Sequence, residues 1–221
     1  MKVMLLAAGR GERMRPLTEE LPKPLLVAGG KSLIEHHLTS LVAAGFEDIV
    51  INVAYLGKKI ADTVGDGQKL DLNIKYSYEG DEPMETAGGI IHALPLLGDD
   101  PFLVVNADIW TDYPFARLQK PIENLAHLVM IDNPSHHPNG DFFLSNGKLT
   151  NDGETKFTYS GIGVYSPKFF HGVSPGKRPL LPLLKRAITN NAVSAEHYDG
   201  AWKDIGTPER LLELDHYLRN R

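Results

Sequence analysis

The chain has 221 residues, 42% of them hydrophobic and 23% charged, an ordinary globular composition that excludes collagen, coiled coil and disorder. A net charge of −5 argues against a general nucleic-acid binder. Without a single cysteine there is no disulfide framework, thiolate zinc site or cysteine nucleophile, which fits a cytoplasmic protein.

The opening residues superficially resemble a signal peptide. Their apolar part, residues 3–8, is shorter than the roughly 7–15 residues of such a segment, and Arg10, Arg13 and Arg15 follow at once. No apolar run approaches the ~18–20 residues needed to cross a bilayer, so no membrane contact is expected. Residues 3–7 instead read as a buried strand that feeds a glycine-bearing loop. Ser32-Leu-Ile-Glu35 is a capping box. It precedes an amphipathic helix pattern (Leu33, Ile34, His37, Leu38, Leu41, Val42) that stops at Gly45. A second strand is expected over 49–54, a short helix around Ile60 closed by Gly65-Asp66-Gly67, a third strand over 74–78, a helix over 88–97 and a fourth strand over 102–105. Strands alternating with helices imply parallel pairing through crossovers.

The second half changes character. A strand is expected over 128–132, a hairpin from 142–144 and 148–150 around Ser-Asn-Gly, a strand over 157–165, a helix over 180–188 and a strand over 201–205. Thr207-Pro208-Glu209 starts a last helix through Tyr217. No low-complexity linker or short repeat interrupts the chain, so one α/β domain over residues 1–221 with a mixed, mainly parallel sheet is expected. Ligands of such sheets gather beyond the carboxyl ends of the strands.

The densest chemical signal is Leu6-Ala-Ala-Gly-Arg-Gly-Glu-Arg-Met-Arg-Pro-Leu-Thr18, followed by Pro22-Lys-Pro24. Gly9 and Gly11 allow a tight turn and close approach of phosphates to backbone N–H groups. Residues 1–31 hold six basic and three acidic side chains, +3 against −8 for the remainder. A basic glycine loop on an acidic protein points to a small polyanion. It is not a Walker loop, since no Gly-Lys-Ser/Thr follows, nor a dinucleotide fingerprint, since Met14 stands where a third glycine would be.

This paired motif resembles the nucleotidyltransferases that make nucleoside-diphosphate sugars from a nucleoside triphosphate and a sugar-1-phosphate. Glu85-Thr-Ala-Gly-Gly89, Asn106-Ala-Asp108, Ser160-Gly161 and Trp202-Lys-Asp204-Ile-Gly-Thr-Pro-Glu209 follow in the family's order, so the likeness covers nearly the whole chain. Asp132-Asn-Pro-Ser-His-His137, Gly140-Asp-Phe142 and Glu196-His-Tyr-x-Gly-x-Trp202 are most similar to the branch that uridylylates N-acetylmuramic acid-type sugars in cell-wall recycling. The resemblance implies a Rossmann-like, three-layer α/β/α fold of glycosyltransferase-A type. About 1–110 would bind nucleotide and about 111–221 the sugar. It implies no protein partner and no repeat-built acetyltransferase domain.

The same resemblance assigns roles. Leu6, Ala7, Ala8, Gly9, Gly11, Glu12, Arg13, Lys23, Glu85 and Gly88 would bind the nucleotide. Asn106, Gly140, Asp141, Ser160 and Gly161 would border the sugar, with His136 and His137 on the rim. Arg13, Lys23 and Asp108 would be catalytic: Arg13 for the β/γ-phosphates and Lys23 for the α-phosphate. Asp108 and Asp204 would hold Mg²⁺. On the residues alone, Asp108 could instead close an Asx turn, Asp204 could serve as a cap near Thr207, and Arg15 is as readily a loop anchor as a ligand. His36-His37 is read as surface and packing, and Trp110 and Trp202 as packing. One departure stands out: Glu154-Thr155-Lys156 lacks the order of the family's Glu-Lys-Pro, whose lysine grips the sugar phosphate. Thymidylyl transfer to glucose-1-phosphate, guanylyl transfer to mannose-1-phosphate and a sensor without turnover remain rival readings.

Overall fold

The computed structural model of the protein describes residues 1–80 and 83–221. In chain order its strands and α-helices are β1 (Val3–Leu6), β2 (Val27–Ala28), β3 (Lys31–Ser32), α1 (Leu33–Ala43), β4 (Asp48–Val53), α2 (Gly57–Val64), β5 (Asn73–Tyr78), α3 (Glu85–Leu97), β6 (Phe102–Asn106) and β7 (Ile109–Thr111). The second half adds β8 (Ala126–Ile131), β9 (Phe142–Ser145), β10 (Lys148–Thr150), β11 (Lys156–Tyr165), α4 (Leu181–Thr189), β12 (Val193–His197), β13 (Trp202–Asp204) and α5 (Pro208–Arg219).

Nine strands form one sheet in the order β5-β4-β1-β6-β11-β8-β12-β10-β9. The first four run parallel, as strands joined by crossover helices must. The rest of the sheet corrects the mainly parallel expectation. β11 is antiparallel to both β6 and β8, and β10 is antiparallel to β12 and β9, leaving β8–β12 as the parallel pair of this half. The cause is connectivity, because β9, β10 and β11 follow one another through short turns with no helix to return the chain. Their hairpin has the Asn146-Gly147 tip the sequence suggests, with φ of 48° and 75°, the left-handed pair that suits a two-residue turn. β11 breaks register between Tyr159 and Ile162. Its first residues pair with β9, so strands β11-β8-β12-β10-β9 close into a barrel-like part.

Helices cover both faces, and the period of two along each strand sorts the core accordingly. Val3 and Leu5 of β1 pack with Ile34, Leu38 and Leu41 of α1 and Ile60 of α2. Met4 faces the other way, toward Ala87, Ile90 and Ala93 of α3 and Leu184 and Ile188 of α4. The capping box is present: Ser32 Oγ accepts from Glu35 N, and Glu35 Oε2 accepts from Ser32 N at 2.7 Å. That hydrogen bonding holds the Glu35 carboxyl below its ordinary pKa. His37 is buried and donates to the Ile109 carbonyl at 2.8 Å, and burial pulls its pKa down to about 4. Val42, assigned to the apolar stripe, lies on the exposed side.

A third cluster fixes the glycine loop. Met14, Leu26, Ala28 and Trp110 pack with Ile205, Leu211 and Leu214, so α5 holds down the loop's far end. Thr207 caps α5 as the sequence indicates. The strand expected over 201–205 forms instead a two-stranded ribbon, β13 with β7. β7 and β12 are not among the expected strands: they are only three and five residues long. α3 begins at Glu85 rather than 88. Among the described residues no helix is long and apolar enough to cross a membrane.

Candidate active site

The parallel register decides what meets at the end of β1. Leu6 pairs with Asn52 of β4 on one side and Asn106 of β6 on the other. The next residue, Ala7, donates its N–H to Asn52 Oδ1 at 2.8 Å, and there the chain leaves the sheet as the glycine loop. Gly11 sits at φ 65°, and a Cβ there would lie 3.0 Å from Thr18 Cγ2. Buried Thr18 donates to the Gly11 carbonyl at 2.8 Å and holds the turn closed. Gly9 has nothing within 4 Å of a would-be Cβ, so the space over it is open.

Beside this loop lies a cavity of about 850 Å³. Leu6, Ala7, Ala8, Gly9, Gly11 and Glu12 line it, with Arg13, Lys23, Glu85, Asn106 and Asp108, so most of the expected residues are brought together. Lys23 lies in a 3₁₀ turn between Pro22 and Pro24, its side chain only 9% exposed, with Nζ 2.8 Å from Asp108 Oδ2. A nearly buried ammonium is held by one carboxylate at the cavity wall.

Asp204 is not part of the lining, yet it stands next to it. Its register partner on β7 is Ile109, and Ile205 N donates to the Asp108 carbonyl at 2.9 Å. Asp204 Oδ2 accepts from Arg210 at 2.5 Å and lies 3.3 Å from His136 Nε2. Gly206 joins this group to the cavity: a Cβ there would be 3.1 Å from Asp204 Oδ2 and 3.4 Å from an Arg13 guanidinium nitrogen. Among the described residues only one oxygen of each aspartate is taken, and hard carboxylate oxygens are the donors Mg²⁺ prefers, so the chemistry of these donors suits that ion.

Other expected residues lie elsewhere. Gly88 faces the loop before α4, where a Cβ would meet the Gly176 carbonyl at 2.3 Å, and it does not line the cavity. Ser160 is buried with its hydroxyl donating to the Val129 carbonyl at 2.7 Å, within the sheet. Gly161 occupies the β11 bulge against the Asn106 amide. Gly140 packs on Asn133, and Asp141 accepts from Tyr159 N at 2.8 Å and lies 3.0 Å from His137 Nε2. Lys156 is also outside the lining, its Nζ 5.2 Å from the Phe143 ring. Trp202 donates to the Ser160 carbonyl at 2.9 Å, and Trp110 packs edge-on against Tyr217, as packing residues do.

The sequence reading missed Asn52, Glu79, Thr86 and Lys177, all in the wall. Glu79 is buried, accepting from Asn52 Nδ2 and from Met84 N at 2.6 Å, so one side-chain chain of hydrogen bonds ties β1, β4 and the start of α3 together. Asn52, a polar residue inside the apolar run 49–53 of β4, was the one available signal.

A parallel-strand end, a glycine loop and a lysine–carboxylate pair meet in one cavity, an arrangement that suits an α/β transferase. The chain belongs to the nucleotidyl transferase family, whose pattern matches residues 2–142. It is 48% identical to N-acetylmuramate alpha-1-phosphate uridylyltransferase of Neisseria meningitidis, over 96% of each chain. It is 35% identical to the enzyme of that name from Caulobacter vibrioides, over 96% of this chain and 94% of that one. In fold it is similar to a Bacillus anthracis structure described as a glucose-1-phosphate thymidylyltransferase, with a TM-score of 0.89 at 20% identity over 100% of this chain and 96% of the other.

Proposed function

We propose that the protein transfers a uridylyl group from UTP to N-acetylmuramate 1-phosphate, releasing pyrophosphate. The 48% identity over 96% of both chains carries this reading, and the cavity supplies the chemistry. An oxygen of the sugar phosphate forms a bond to the α-phosphorus, and the bond from that phosphorus to the β-phosphate oxygen breaks. The nucleophile is already ionised at neutral pH, so no general base is required. The site must suppress repulsion between two anions and stabilise charge on the departing pyrophosphate.

The loop N–H groups and Arg13 suit the β- and γ-phosphates, the planar fork of Arg13 gripping two oxygens. Lys23 suits the α-phosphate, and Asp108 keeps its ammonium aimed at the cavity. Mg²⁺ held by Asp108 and Asp204 would supply charge neutralisation to the phosphate oxygens. In this reading about 1–110 serves the nucleotide and about 111–221 the sugar, with His136, beside Asp204, and the Gly140-Asp141 turn on the sugar rim. The enzyme would work in the cytoplasm, returning N-acetylmuramate to cell-wall precursors.

The test is a pyrophosphate-release matrix of four nucleoside triphosphates against N-acetylmuramate, N-acetylglucosamine, glucose and mannose 1-phosphates, with Mg²⁺. UTP with N-acetylmuramate 1-phosphate should exceed every other pair. A maximum at GTP with mannose 1-phosphate, or at dTTP with glucose 1-phosphate, would replace this reading.

A further inference from the structure

Arg10, Arg13, Lys23 and Lys177 are the cationic side chains lining the cavity among the described residues. The first three come from the glycine loop and the Pro-Lys-Pro turn. Lys177 comes from a loop more than a hundred residues later, between β11 and α4, and its ammonium has no ion-pair partner among the described residues. The residues around Lys177 are fixed by backbone contacts. Helix α3 has no side-chain cap at Met84. The Arg178 carbonyl accepts from Ala87 N and Gly88 N at 3.0 and 3.1 Å instead, and Arg178 N donates to the Met84 carbonyl at 2.9 Å. Those bonds satisfy helix-end N–H groups that would otherwise lack partners. On its other side Gly176 presses onto Gly88, where no side chain would fit. A short exposed loop is thus clamped at both neighbours of one lysine, which is left facing the cavity beside Glu85 and Thr86.

We infer that Lys177 binds the anomeric phosphate of the sugar-1-phosphate. This rests on the function proposed above and extends it. Two polyanions must meet in this cavity, and the cations of residues 10–23 are grouped on one segment suited to the triphosphate. The acceptor phosphate needs a cation of its own. Lys156, the candidate suggested by sequence, lies over Phe143 outside the lining. Lys177 is a compact point charge on a flexible stem and suits a monoester that must move toward the α-phosphorus.

The experiment compares wild type, Lys177→Met and Lys177→Arg in steady-state pyrophosphate release, with Lys185→Met on the exposed side of α4 as control. Lys177→Met should raise the sugar-1-phosphate KM about tenfold or more and leave the UTP KM within about twofold, as expected when one charge-assisted contact is lost. Lys177→Arg should recover most of that loss. The same penalty should appear with the lactyl amide of N-acetylmuramate 1-phosphate, which keeps the phosphate but loses the sugar's carboxylate. A penalty confined to the free acid would move Lys177 to the lactyl carboxylate and overturn the inference. A rise confined to the UTP KM, or no change in either, would overturn it as well. If wild type prefers another sugar-1-phosphate, the sugar assignment falls on its own, and the Lys177 comparison is decided on that substrate.

Discussion

Lys23 Nζ and Asp108 Oδ2 lie 2.8 Å apart although 84 residues separate them in the chain, because Lys23 sits in the turn after the glycine loop and Asp108 just beyond the end of β6. The pair brings a nearly buried cation and a half-exposed carboxylate to one wall of the cavity, so each residue's effect depends on the other. Lys23→Met and Asp108→Asn should each lower kcat about 10²–10³-fold, and the double variant should lose far less than the product of the two. Strict multiplicativity in this cycle would separate their roles.

Magnesium dependence distinguishes the carboxylates from the lysine. Asp108→Asn and Asp204→Asn should regain part of their turnover at high Mg²⁺, while Lys23→Met should not. Thermal unfolding should barely change in Asp108→Asn. If Asp204→Asn keeps wild-type turnover, Asp204 serves only to hold Arg210 and His136.

Arg13→Ala should reduce kcat by about 10²–10³-fold with little effect on the sugar KM, if the guanidinium, as proposed, faces charge that grows on pyrophosphate. Wild-type turnover at saturating UTP would remove Arg13 from that role.

The loop's turn is tested by Gly11→Ala. A side chain at φ 65° costs about 1–2 kcal/mol, and the added Cβ must push on Thr18. Urea titration should show that loss, and the UTP KM should rise while the sugar KM stays. An unchanged UTP KM would show that the loop's shape does not govern triphosphate binding.

His37 gives a pH signature. Its folded pKa, about 4, lies below the ordinary 6.5, so only the unfolded chain takes up a proton between those values. Stability should therefore fall as pH drops from 6.5 to 4, by roughly 3 kcal/mol from this group, with no contribution to the slope above pH 6.5. Denaturant titrations of His37→Gln across that interval should show a correspondingly flatter profile. An unchanged slope would mean that another group controls the acid limb.

What the sequence disclosed follows from the range of the interactions. The glycine loop, the Pro-flanked lysine, the capping box and the Thr207 cap are local patterns, and each has its expected place. Asn52 is set beside the end of β1 by strand register, and Glu79, just beyond β5, reaches both Asn52 and Met84 N, which no local pattern carries. Gly88 sits in a recognisable motif, yet the close approach of Gly176 that its missing side chain allows comes from a distant loop and is not written in that motif. The polarity of the second half rests on β11 running antiparallel to both β6 and β8, pairings between distant stretches of chain that the alternation of either strand does not carry.

In the proposed reaction this cavity joins the α-phosphate of UTP to the sugar phosphate. Isotope partition tests it most directly: wild type with N-acetylmuramate 1-phosphate and UTP labelled in either the α- or the γ-phosphate. The α-label should appear wholly in the UDP-sugar and the γ-label wholly in pyrophosphate. Release of γ-label as orthophosphate, or α-label remaining in free UMP, would contradict it.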